Sequence, residues 1–597
     1  MEKWFVYAKK ADFKAWGERL GVAPVVARII RNRDVMSEDE AARFLNGTLE
    51  DCHSPWLLKD VELAVDGVLS AVTNGKRIRV IGDYDVDGIC SAYILTKGIS
   101  LLGGCVDTAI PHRIHDGYGL NDNLIREAKQ DGIEVIVTCD NGIAAASQVE
   151  LAKSLGLDVI VTDHHEVPFE ITDGVRKEIL PKALAVVDPK REEDSYPFPG
   201  ICGGVLAYKL MQAVAERLAK DAAAAGQFHA GSFLVAMDEF LEFAAFATVC
   251  DVMELKDENR ILVKEGLRRL RNSKNQGLRA LTEANGIDRR SLSAYHLGFV
   301  LGPCLNATGR LDTATRALEL LNARDGVAAA KVARDLKELN DSRKNLTLQG
   351  IDLAIKTIRE EGLSGDKVLV VYLPEVHESL AGIIAGRIRE QFGRPAFLLT
   401  KGEEGVKGSG RSMEKYDMYA ALTEVGDLLT KFGGHKMAAG LSLEEENVGE
   451  LRRRLNENCQ LTEEDFVPVL HVDAEMPMEY ADLALARQLE ALEPFGVGNP
   501  KPLFVQRDVT FLSGNRMGKE GKYGRFQVRV PSGARFTVIF FGDVDAFRNF
   551  LDNKYGMGSA DKLFAGQGAY SVTVAYQIGI HTYQGKEDLQ ILMKSYQ

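Results

Sequence analysis

From residue 77 onward, short apolar runs alternate with stretches of helical periodicity. The runs are rich in valine and isoleucine and lie at 77–82, 106–110, 134–138, 158–162 and 184–187. The intervening stretches predict helices at 89–102, 121–129 and 144–155. Apolar strands that alternate with helices are typical of a parallel sheet covered on both faces, so this part of the chain predicts an α/β domain.

A mostly helical region follows and leads to one unusually long helical pattern. Residues 203–286 predict helices, and the segment from Gly326 to Gly362 contains no proline and repeats its apolar residues at helical spacing. A continuous helix of this length would span roughly 50 Å at 1.5 Å per residue, which exceeds the core of a typical domain. We therefore expect it to connect two lobes.

Two further patterns complete the chain. Residues 368–373 restart the α/β alternation, with a helix at 380–392 and strands near 396–400 and 406–408. After about residue 465, short β-like runs are separated by glycine-rich turns, which predicts a small barrel or sandwich. Those runs lie at 525–530, 536–541 and 571–580.

Composition excludes several classes of protein. The 597 residues suggest about four domains, with three to five plausible. The chain is 27% charged and 45% hydrophobic, as in globular proteins, and its net charge of −13 disfavours a basic coat for duplex nucleic acid. No apolar run approaches a membrane span or a secretory signal, so we expect a cytoplasmic protein with no membrane partner. The eight cysteines include no Cys-x-x-Cys motif, and we expect buried free thiols.

Three acidic motifs directly follow predicted strands. Asp-Tyr-Asp-Val-Asp-Gly stands at 83–88, Asp-Asn-Gly at 140–142 and Asp-His-His at 163–165. Because the carboxyl ends of parallel strands share one edge of a sheet, these motifs should converge on one cleft. Asp188 also ends a predicted strand, but a turn aspartate before proline is the commoner explanation. Asp251 follows an apolar run and is ambiguous by itself.

Carboxylates and imidazoles crowded into one cleft point to bound cations, because like charges in contact raise each other's pKa. Oxygen and nitrogen ligands without thiolate suit Mn²⁺ or Mg²⁺. Two such ions bridged by one carboxylate would activate water and stabilise the leaving oxygen in phosphoester hydrolysis. The first motif also resembles the start of a calcium-binding loop. The twelfth position counted from Asp83 holds Ile94 instead of glutamate, which excludes that loop.

These motifs, with Cys-Asp-Val-Met-Glu-Leu at 250–255, resemble the DHH phosphoesterase superfamily. Within it, the chain is similar to the RecJ family of single-strand-specific 5′→3′ exonucleases over essentially its whole length. Two residues depart from the pattern of the family. Cys250 stands where alanine is usual, and Cys304 stands where arginine is common and a DNA contact is expected. Further matching segments lie at 111–113, 117–120, 306–311, 377–378, 409–412, 432–435 and 494–500.

The resemblance implies an α/β fold with two α/β lobes, the DHH domain and the DHH-associated domain, joined by a long helix and followed by a C-terminal OB-like β-barrel. The expected domains are an N-terminal segment packing on the catalytic lobe (1–70), the DHH catalytic domain (71–325), the connecting helix (326–362), the DHH-associated substrate-binding domain (363–464) and the OB-like single-strand-binding domain (465–597).

The resemblance also implies roles for individual side chains. Asp83, Asp163 and His165 would support the metal ligands by hydrogen bonding or bind metal in some states, and His435 would approach the scissile phosphate. Arg113, Arg310, Ser409 and Arg411 would form a pocket for a 5′-terminal phosphate, because guanidinium bonds phosphate oxygens in pairs. The expected metal ligands are Asp85, Asp87, Asp140, His164 and Asp251, with Asp140 bridging two ions. The expected substrate-binding residues are Arg113, Asn306, Arg310, His377, Ser409, Arg411, Gly433 and Gly434.

One segment of the C-terminal region has the composition of a nucleic-acid surface. Residues 501–540 carry a net charge of +6 in a chain of −13, with Tyr523 and Phe526 among the basic side chains. A basic groove with aromatic faces is how small barrels hold single strands. The alternative is the solvated edge of a β-domain, where lysine is favoured. With a metal site in the same chain, a barrel that guides the strand is the better interpretation.

The expected activity is metal-dependent degradation of single-stranded DNA from its 5′ end to 5′-mononucleotides, in DNA repair and recombination. A single-strand-binding protein and a helicase are partners that the resemblance alone implies. One alternative is hydrolysis of short oligonucleotides or cyclic dinucleotides, against which the barrel and the basic segment argue. The other is a non-catalytic replication scaffold, which would be free to lose its carboxylates, whereas every expected ligand is present.

Overall fold

The computed structural model describes residues 2–112, 119–172, 174–220, 228, 230–402 and 405–597. Packing divides the chain into two units. The larger unit comprises residues 53–253 and 266–468, and the smaller one comprises residues 1–52, 254–265 and 469–597. Within the described ranges, no helix combines the length and apolarity that crossing a membrane would require.

The N-terminal segment is a strand followed by three short helices. Asp12 caps the first helix by accepting a hydrogen bond from the backbone N–H of Ala15, and Ser37 caps the third in the same way. Pro24 begins the second, where its fixed φ and missing N–H cost nothing. These elements are β1 (Lys3–Val6), α1 (Phe13–Leu20), α2 (Pro24–Asn32) and α3 (Glu38–Asn46).

The first lobe of the larger unit is built on the predicted parallel sheet. Its five strands run in the order β3-β2-β4-β5-β8, so the strand order reverses between β2 and β4. A hairpin, β6 with β7, was not predicted from the sequence. The elements are α4 (Val61–Thr73), β2 (Arg77–Ile81), α5 (Val86–Leu101), β3 (Cys105–Ala109), α6 (Asp122–Gln130), β4 (Val135–Cys139), α7 (Ala146–Ser154), β5 (Asp158–Thr162), β6 (Phe169–Thr172), β7 (Val175–Glu178) and β8 (Ala185–Val187).

The expected helical region follows the sheet. A five-residue π-helical segment, Leu297–Leu301, lies between α12 and α13, and such segments are frequent near functional sites. The helices are α8 (Gly203–Lys220), α9 (Ala230–Cys250), α10 (Asp257–Leu270), α11 (Gln276–Ala284), α12 (Ala294–His296), α13 (Gly302–Leu311), α14 (Thr315–Leu321) and α15 (Gly326–Glu360).

Helix α15 confirms the predicted connector. It contains 35 residues and therefore spans about 52 Å. Ala329, Ala333 and Leu336 are buried near its first end, whereas Ala354 and Ile358 join the core of the second lobe. The helix is thus a shared structural element of both lobes.

The second lobe is a five-stranded mixed sheet in the order β12-β13-β11-β10-β9. Strands β9 and β10 are parallel, and the other neighbours are antiparallel. The strand predicted at 406–408 extends to Arg411, because the residues up to Arg411 pair with both neighbouring strands, β10 and β13. The elements are β9 (Leu369–Tyr372), α16 (Ala381–Phe392), β10 (Ala396–Lys401), β11 (Val406–Arg411), α17 (Met418–Glu424), β12 (Leu429–His435), β13 (Ala438–Leu443) and α18 (Val448–Asn458).

The smaller unit contains a closed five-stranded barrel, which confirms the expected OB-like fold. Its order is β16-β17-β18-β20-β19, and β19 pairs back to β16. Phe511, Phe526 and Phe547 fill the interior with ring centroids about 5 Å apart. The elements are β14 (Val469–Val472), β15 (Ala474–Glu475), α19 (Leu483–Glu490), β16 (Phe504–Met517), β17 (Tyr523–Arg529), β18 (Arg535–Phe540), α20 (Val544–Tyr555), α21 (Ser559–Phe564), β19 (Tyr570–Tyr583) and β20 (Lys586–Tyr596).

The N-terminal segment packs differently from the expectation. Trp16, Val26 and Ile29 belong to the same hydrophobic core as the barrel residues, and β1 pairs in parallel with β14. Residues 1–52 therefore share a core with the barrel, whereas α4 packs against β8 of the first lobe. The resemblance alone had placed this segment on the catalytic lobe, and the apolar positions of α1 and α2 carry no information about which partner covers them.

Candidate metal centre

The three acidic motifs meet at one edge of the parallel sheet. Asp140 and Asp163 directly follow β4 and β5, and Asp83 lies two residues beyond β2. This edge includes the point where the strand order reverses between β2 and β4, which is where ligands bind in open α/β sheets. The predicted convergence is therefore present in the structure.

Backbone amides fix the first motif. Asp85 caps α5 and accepts hydrogen bonds from the backbone N–H groups of Asp87 and Gly88 at 2.9 and 3.1 Å. Asp87 in turn accepts from the backbone N–H groups of Gly203 and Gly204 at 2.8 and 2.6 Å, at the start of α8. These bonds hold both carboxylates in fixed positions at helix N-termini, which favour negative charge.

Glycine is needed at position 88 for steric reasons. A Cβ atom there would lie 2.4 Å from the backbone nitrogen of Asp83, so any other residue would displace the end of the motif. Asp140 itself has a φ of +61°, in the left-handed region that non-glycine residues rarely adopt. Such backbone conformations persist where the surrounding structure enforces them, and they cluster at functional sites.

His164 lies at the middle of the cluster. Its Nε2 atom is 3.0 Å from Oδ1 of Asp140, 3.5 Å from Oδ2 of Asp87 and 3.7 Å from Oδ2 of Asp251. The structure thus brings Asp251, which was ambiguous in the sequence, into the same site. Three groups have ligand atoms within 4.8 Å of one another: Asp83, Asp85 and Asp140; Asp87, His164 and Asp251; and Asp140, His164 and His165.

Burial and mutual repulsion control the charges of this cluster. Burial, followed by the neighbouring carboxylates, raises the pKa of Asp140 well above its ordinary value. The same causes raise the pKa of Asp251 to about 8, and burial raises the pKa of Asp87. Burial also lowers the pKa of His164, which favours the neutral imidazole that binds metals.

Asp163 and His165 form a separate pair beside the cluster. Asp163 accepts hydrogen bonds from Nδ1 of His165 at 2.8 Å and from the backbone N–H of Ile143 at 2.9 Å. Burial alone would raise the pKa of Asp163, but the bond and charge of His165 hold it below its ordinary value. Burial opposes protonation of His165 as well, yet Asp163 raises the pKa of that imidazole to about 9. This arrangement suits the supporting role predicted for both residues.

The donor set fits divalent cations of the Mn²⁺ and Mg²⁺ type. The ligand atoms are carboxylate oxygens and imidazole nitrogens, and the groups described above contain no thiolate. Asp140 and His164 each belong to two of the three groups; the bridging role expected of Asp140 stays a prediction. Divalent cations would also offset the repulsion that raises the carboxyl pKa values.

Two predicted substrate residues, Ser409 and Gly433, line a cavity of about 410 Å³ in the second lobe. Lys407 and Lys431, which were not predicted, line it as well. The Oγ atom of Ser409 accepts a hydrogen bond from Arg411 at 3.1 Å. Gly434, next to this cavity, has a φ of +141° and requires glycine, because a Cβ atom would meet the carbonyl oxygen of Ala438 at 2.4 Å.

A second cavity, of about 520 Å³, contains Asn306 and Arg310. Asn306 accepts a hydrogen bond from the backbone N–H of Val86 at 3.1 Å, which places it next to the first acidic motif. Arg310 donates to the carbonyl oxygen of Ser379 at 2.6 Å, and Nδ1 of His377 accepts from the same serine's hydroxyl at 2.8 Å. The predicted residues of the two lobes thus meet through Ser379.

One predicted residue lies outside the described structure, and another is not connected to these groups. Arg113 lies outside the described residues. His435 is at the end of β12, where its Nδ1 accepts a hydrogen bond from the backbone N–H of Met437 at 3.3 Å. Among the described residues, no contact links His435 to the metal cluster. Its approach to the scissile phosphate therefore stays a prediction.

Sequence reasoning missed three basic residues of the second cavity. Arg343 and Lys344 lie on α15 and Arg387 on α16, and all three line the cavity with Arg310. A single Arg-Lys pair within a long charged helix looks like a solvent-exposed face, so the sequence offered no distinguishing signal. Only the packing of α15 against α13 and α16 brings these charges together.

Comparisons with known proteins agree with this architecture. Residues 77–232 match the model of the DHH family, N-terminal domain; residues 365–461 match the DHHA1 domain; and residues 472–595 match the RecJ OB domain. The crystal structure of RecJ in complex with Mn²⁺ from Thermus thermophilus has a TM-score of 0.79 and 28% identity, covering 100% of this chain and 79% of that one. Fold and site together define a phosphoesterase of the DHH class.

Two curated relatives narrow the class. The single-stranded-DNA-specific exonuclease RecJ of Escherichia coli strain K12 is 34% identical over 589 residues, which are 96% of this chain and 95% of that protein. The exonuclease RecJ of Bacillus subtilis strain 168 is also 34% identical, over 543 residues, and this chain spans 66% of its length. The chain belongs to the RecJ family of single-stranded-DNA-specific exonucleases.

Proposed function

We propose that this protein is a metal-dependent exonuclease that hydrolyses single-stranded DNA from its 5′ end and releases 5′-mononucleotides. The observation that carries the proposal is the buried cluster of carboxylates around Nε2 of His164, at the reversal point of the parallel sheet. The names of its relatives, single-stranded-DNA-specific exonucleases, supply the substrate class.

Asp85, Asp87, Asp140, His164 and Asp251 would hold two Mn²⁺ or Mg²⁺ ions. When bound, these ions supply Lewis acidity toward water and the phosphate oxygens. The protein's own contribution is to hold the ligands rigidly through the amides of α5 and α8. Asp87 and Asp140 are shielded from bulk water, since they are only 1% and 3% exposed.

Asp83, Asp163 and His165 would support this centre. Because Asp163 accepts from Nδ1 of His165, the imidazole keeps its orientation beside the metal ligands. A raised pKa keeps His165 protonated at neutral pH, so that it can hold a proton close to the departing 3′-oxygen.

The second cavity offers a path for the single strand. Arg310, Arg343, Lys344 and Arg387 supply positive charge for phosphates. Phe299, at the rim of the cavity, is 69% exposed and stacks on Tyr295, which is 63% exposed, with centroids 5.2 Å apart. Exposed aromatic faces beside basic side chains are how proteins hold unpaired bases, so this surface favours single strands.

The barrel carries a second surface of the same kind. Along β17 the side chains alternate, and Tyr523, Arg525 and Arg529 are exposed. Arg535 of β18 lies opposite Arg529 on the same face, and Tyr523 contacts the exposed ring of Phe541. OB folds bind oligonucleotides on this part of the barrel, so we assign it to strand guidance.

Polarity would come from a pocket for the 5′-terminal phosphate. Its members would be Arg113, Arg310, Ser409 and Arg411, with His377, Gly433 and Gly434 lining the approach and His435 beside the scissile phosphate. A single-strand-binding protein that delivers the substrate and a helicase that unwinds duplexes are the expected partners, in DNA repair and recombination.

The test is digestion of a single-stranded oligonucleotide labelled at either end, beside the same sequence as a duplex, with Mn²⁺ or Mg²⁺. We expect labelled mononucleotide to appear first from the 5′ end, and only from the single strand. Asp140→Asn should abolish release while strand binding survives. Asp122→Asn, which changes an exposed aspartate of α6, is the matched control.

Three outcomes would contradict the proposal. Turnover of di- to tetranucleotides without cleavage of the long strand would favour a short-oligonucleotide hydrolase. Strand binding without any turnover would favour a scaffold. Equal degradation of duplex and single strand would refute the strand selectivity.

A further inference from the structure

Lys190 lies at the same edge of the sheet as the metal cluster, although no motif includes it. Strands β5 and β8 are parallel neighbours, with Thr162 paired to Val187. Asp163 and Asp188 therefore occupy equivalent positions at the carboxyl ends of adjacent strands, and Lys190 follows two residues later. The turn carries this lysine to the rim of the cluster.

The turn that positions Lys190 is fixed from the inside. Asp188 is fully buried, and its Oδ1 atom accepts a hydrogen bond from the backbone N–H of Lys190 at 2.9 Å. The side chain of Lys190 is 27% exposed, and its Nζ atom lies 3.2 Å from Oε1 of Glu166. The backbone of Lys190 is thus anchored while its ammonium group remains reachable.

The ion pair with Glu166 does not account for the position of Lys190. Glu166 is 83% exposed, and exposed ion pairs contribute little to stability. Glu166 directly follows His165 of the cluster in the chain, so the pair places the ammonium group at the rim of the acidic centre. A cation at the rim of an acidic centre suits an anionic ligand, which the carboxylates alone would repel.

We propose that Lys190 binds a non-bridging oxygen of the scissile phosphodiester, exchanging Glu166 for the substrate. This inference rests on the proposed function, because it takes the substrate of the metal centre to be a nucleic-acid phosphate. It adds a substrate contact just beyond β8, the outermost strand of the sheet.

The proposal predicts effects of opposite sign on catalysis and on metal binding. Lys190→Gln removes a charge-assisted hydrogen bond to phosphate, so kcat/KM should fall roughly 10- to 100-fold. The same substitution removes a positive charge near the carboxylates, so the affinity for Mn²⁺ without DNA should rise roughly two- to fivefold. A purely structural role would lower both quantities or neither.

The experiment compares four variants with the full-length protein. Mn²⁺ affinity is measured by calorimetry without DNA, and kcat/KM is measured on a 5′-phosphorylated single-stranded oligonucleotide. Lys190→Arg keeps the charge and should retain kcat/KM within about threefold. Glu166→Gln should leave kcat/KM within about twofold or raise it. Lys182→Gln, which breaks the exposed pair with Glu150, is the matched control and should change neither quantity.

Two results would overturn the inference. One is an unchanged kcat/KM in Lys190→Gln, and the other is a loss in Glu166→Gln as large as in Lys190→Gln, which would assign the effect to the ion pair. Failure of the proposed function is distinguishable, because the unsubstituted protein would then leave the oligonucleotide intact while still binding Mn²⁺.

Discussion

Binding of Mn²⁺ to the metal-free protein should release protons from the carboxyl groups that bind the metal. Asp251 has a pKa of about 8, so at pH 7 about nine molecules in ten carry a proton on this carboxyl. Burial also raises the pKa values of Asp87 and Asp140, which lie in the same cluster. Ligation requires the ionised carboxylates, so we expect at least about one proton released at pH 7.

The sign of the pH dependence follows from the same values. Between roughly pH 4 and pH 8 the folded, metal-free protein holds a proton on Asp251 that the unfolded chain does not. Its stability should therefore fall as the pH rises, by about 2 kcal/mol between pH 6 and pH 8 from this carboxyl alone. Metal affinity should change in the opposite direction, rising about tenfold or more per pH unit between pH 6 and pH 7.

The assay is titration calorimetry of Mn²⁺ binding in two buffers that differ in ionisation enthalpy. The difference in heat gives the number of protons released. Asp251→Asn should lower that number by nearly one, whereas Asp238→Asn, which changes an exposed aspartate of the preceding helix α9, should not change it. Release of fewer than about 0.3 protons would refute the reasoning, because the carboxyls would then be ionised without metal.

Three further predictions concern stability and binding. Asp473→Ala should destabilise the smaller unit by about 3–5 kcal/mol, because it leaves the guanidinium of Arg33, 2.7 Å away and 2% exposed, buried without its carboxylate partner. Urea unfolding followed by the fluorescence of buried Trp16 checks this, and Asp39→Ala, at an exposed aspartate, is the control. Gly88→Ala should weaken Mn²⁺ binding at least about tenfold, since its Cβ would collide with the backbone of Asp83. Gly365→Ala, where the added methyl meets open space, should bind Mn²⁺ normally, and equal Mn²⁺ affinity in both variants would contradict the steric argument. Arg343→Gln should weaken single-strand binding and reduce the slope of log affinity against log salt concentration by about 0.7, whereas Lys356→Gln, at an exposed position of the same helix, should change neither. An unchanged slope in a fluorescence-anisotropy salt series would show that Arg343 does not contact the strand.

The sequence determined most of the architecture because its elements are specified locally. Apolar runs predicted the parallel strands to within a few residues, and helical spacing without proline predicted the connector α15. The metal cluster was also predictable, because the topology of a parallel sheet forces the ends of β2, β4 and β5 to one edge. Asp83, Asp140 and Asp163 therefore met as expected.

Tertiary structure decided what depends on long-range packing. Asp251 joins the cluster only because α9 ends beside His164, and the apolar face of α2 covers the barrel core instead of the first lobe. Arg343, Arg387 and Lys190 have no local signature, since one basic residue on a helix or turn looks the same whether it faces solvent or a site. Periodicity specifies that a face is buried, but the partner that buries it and the charges that it brings together are properties of the folded chain.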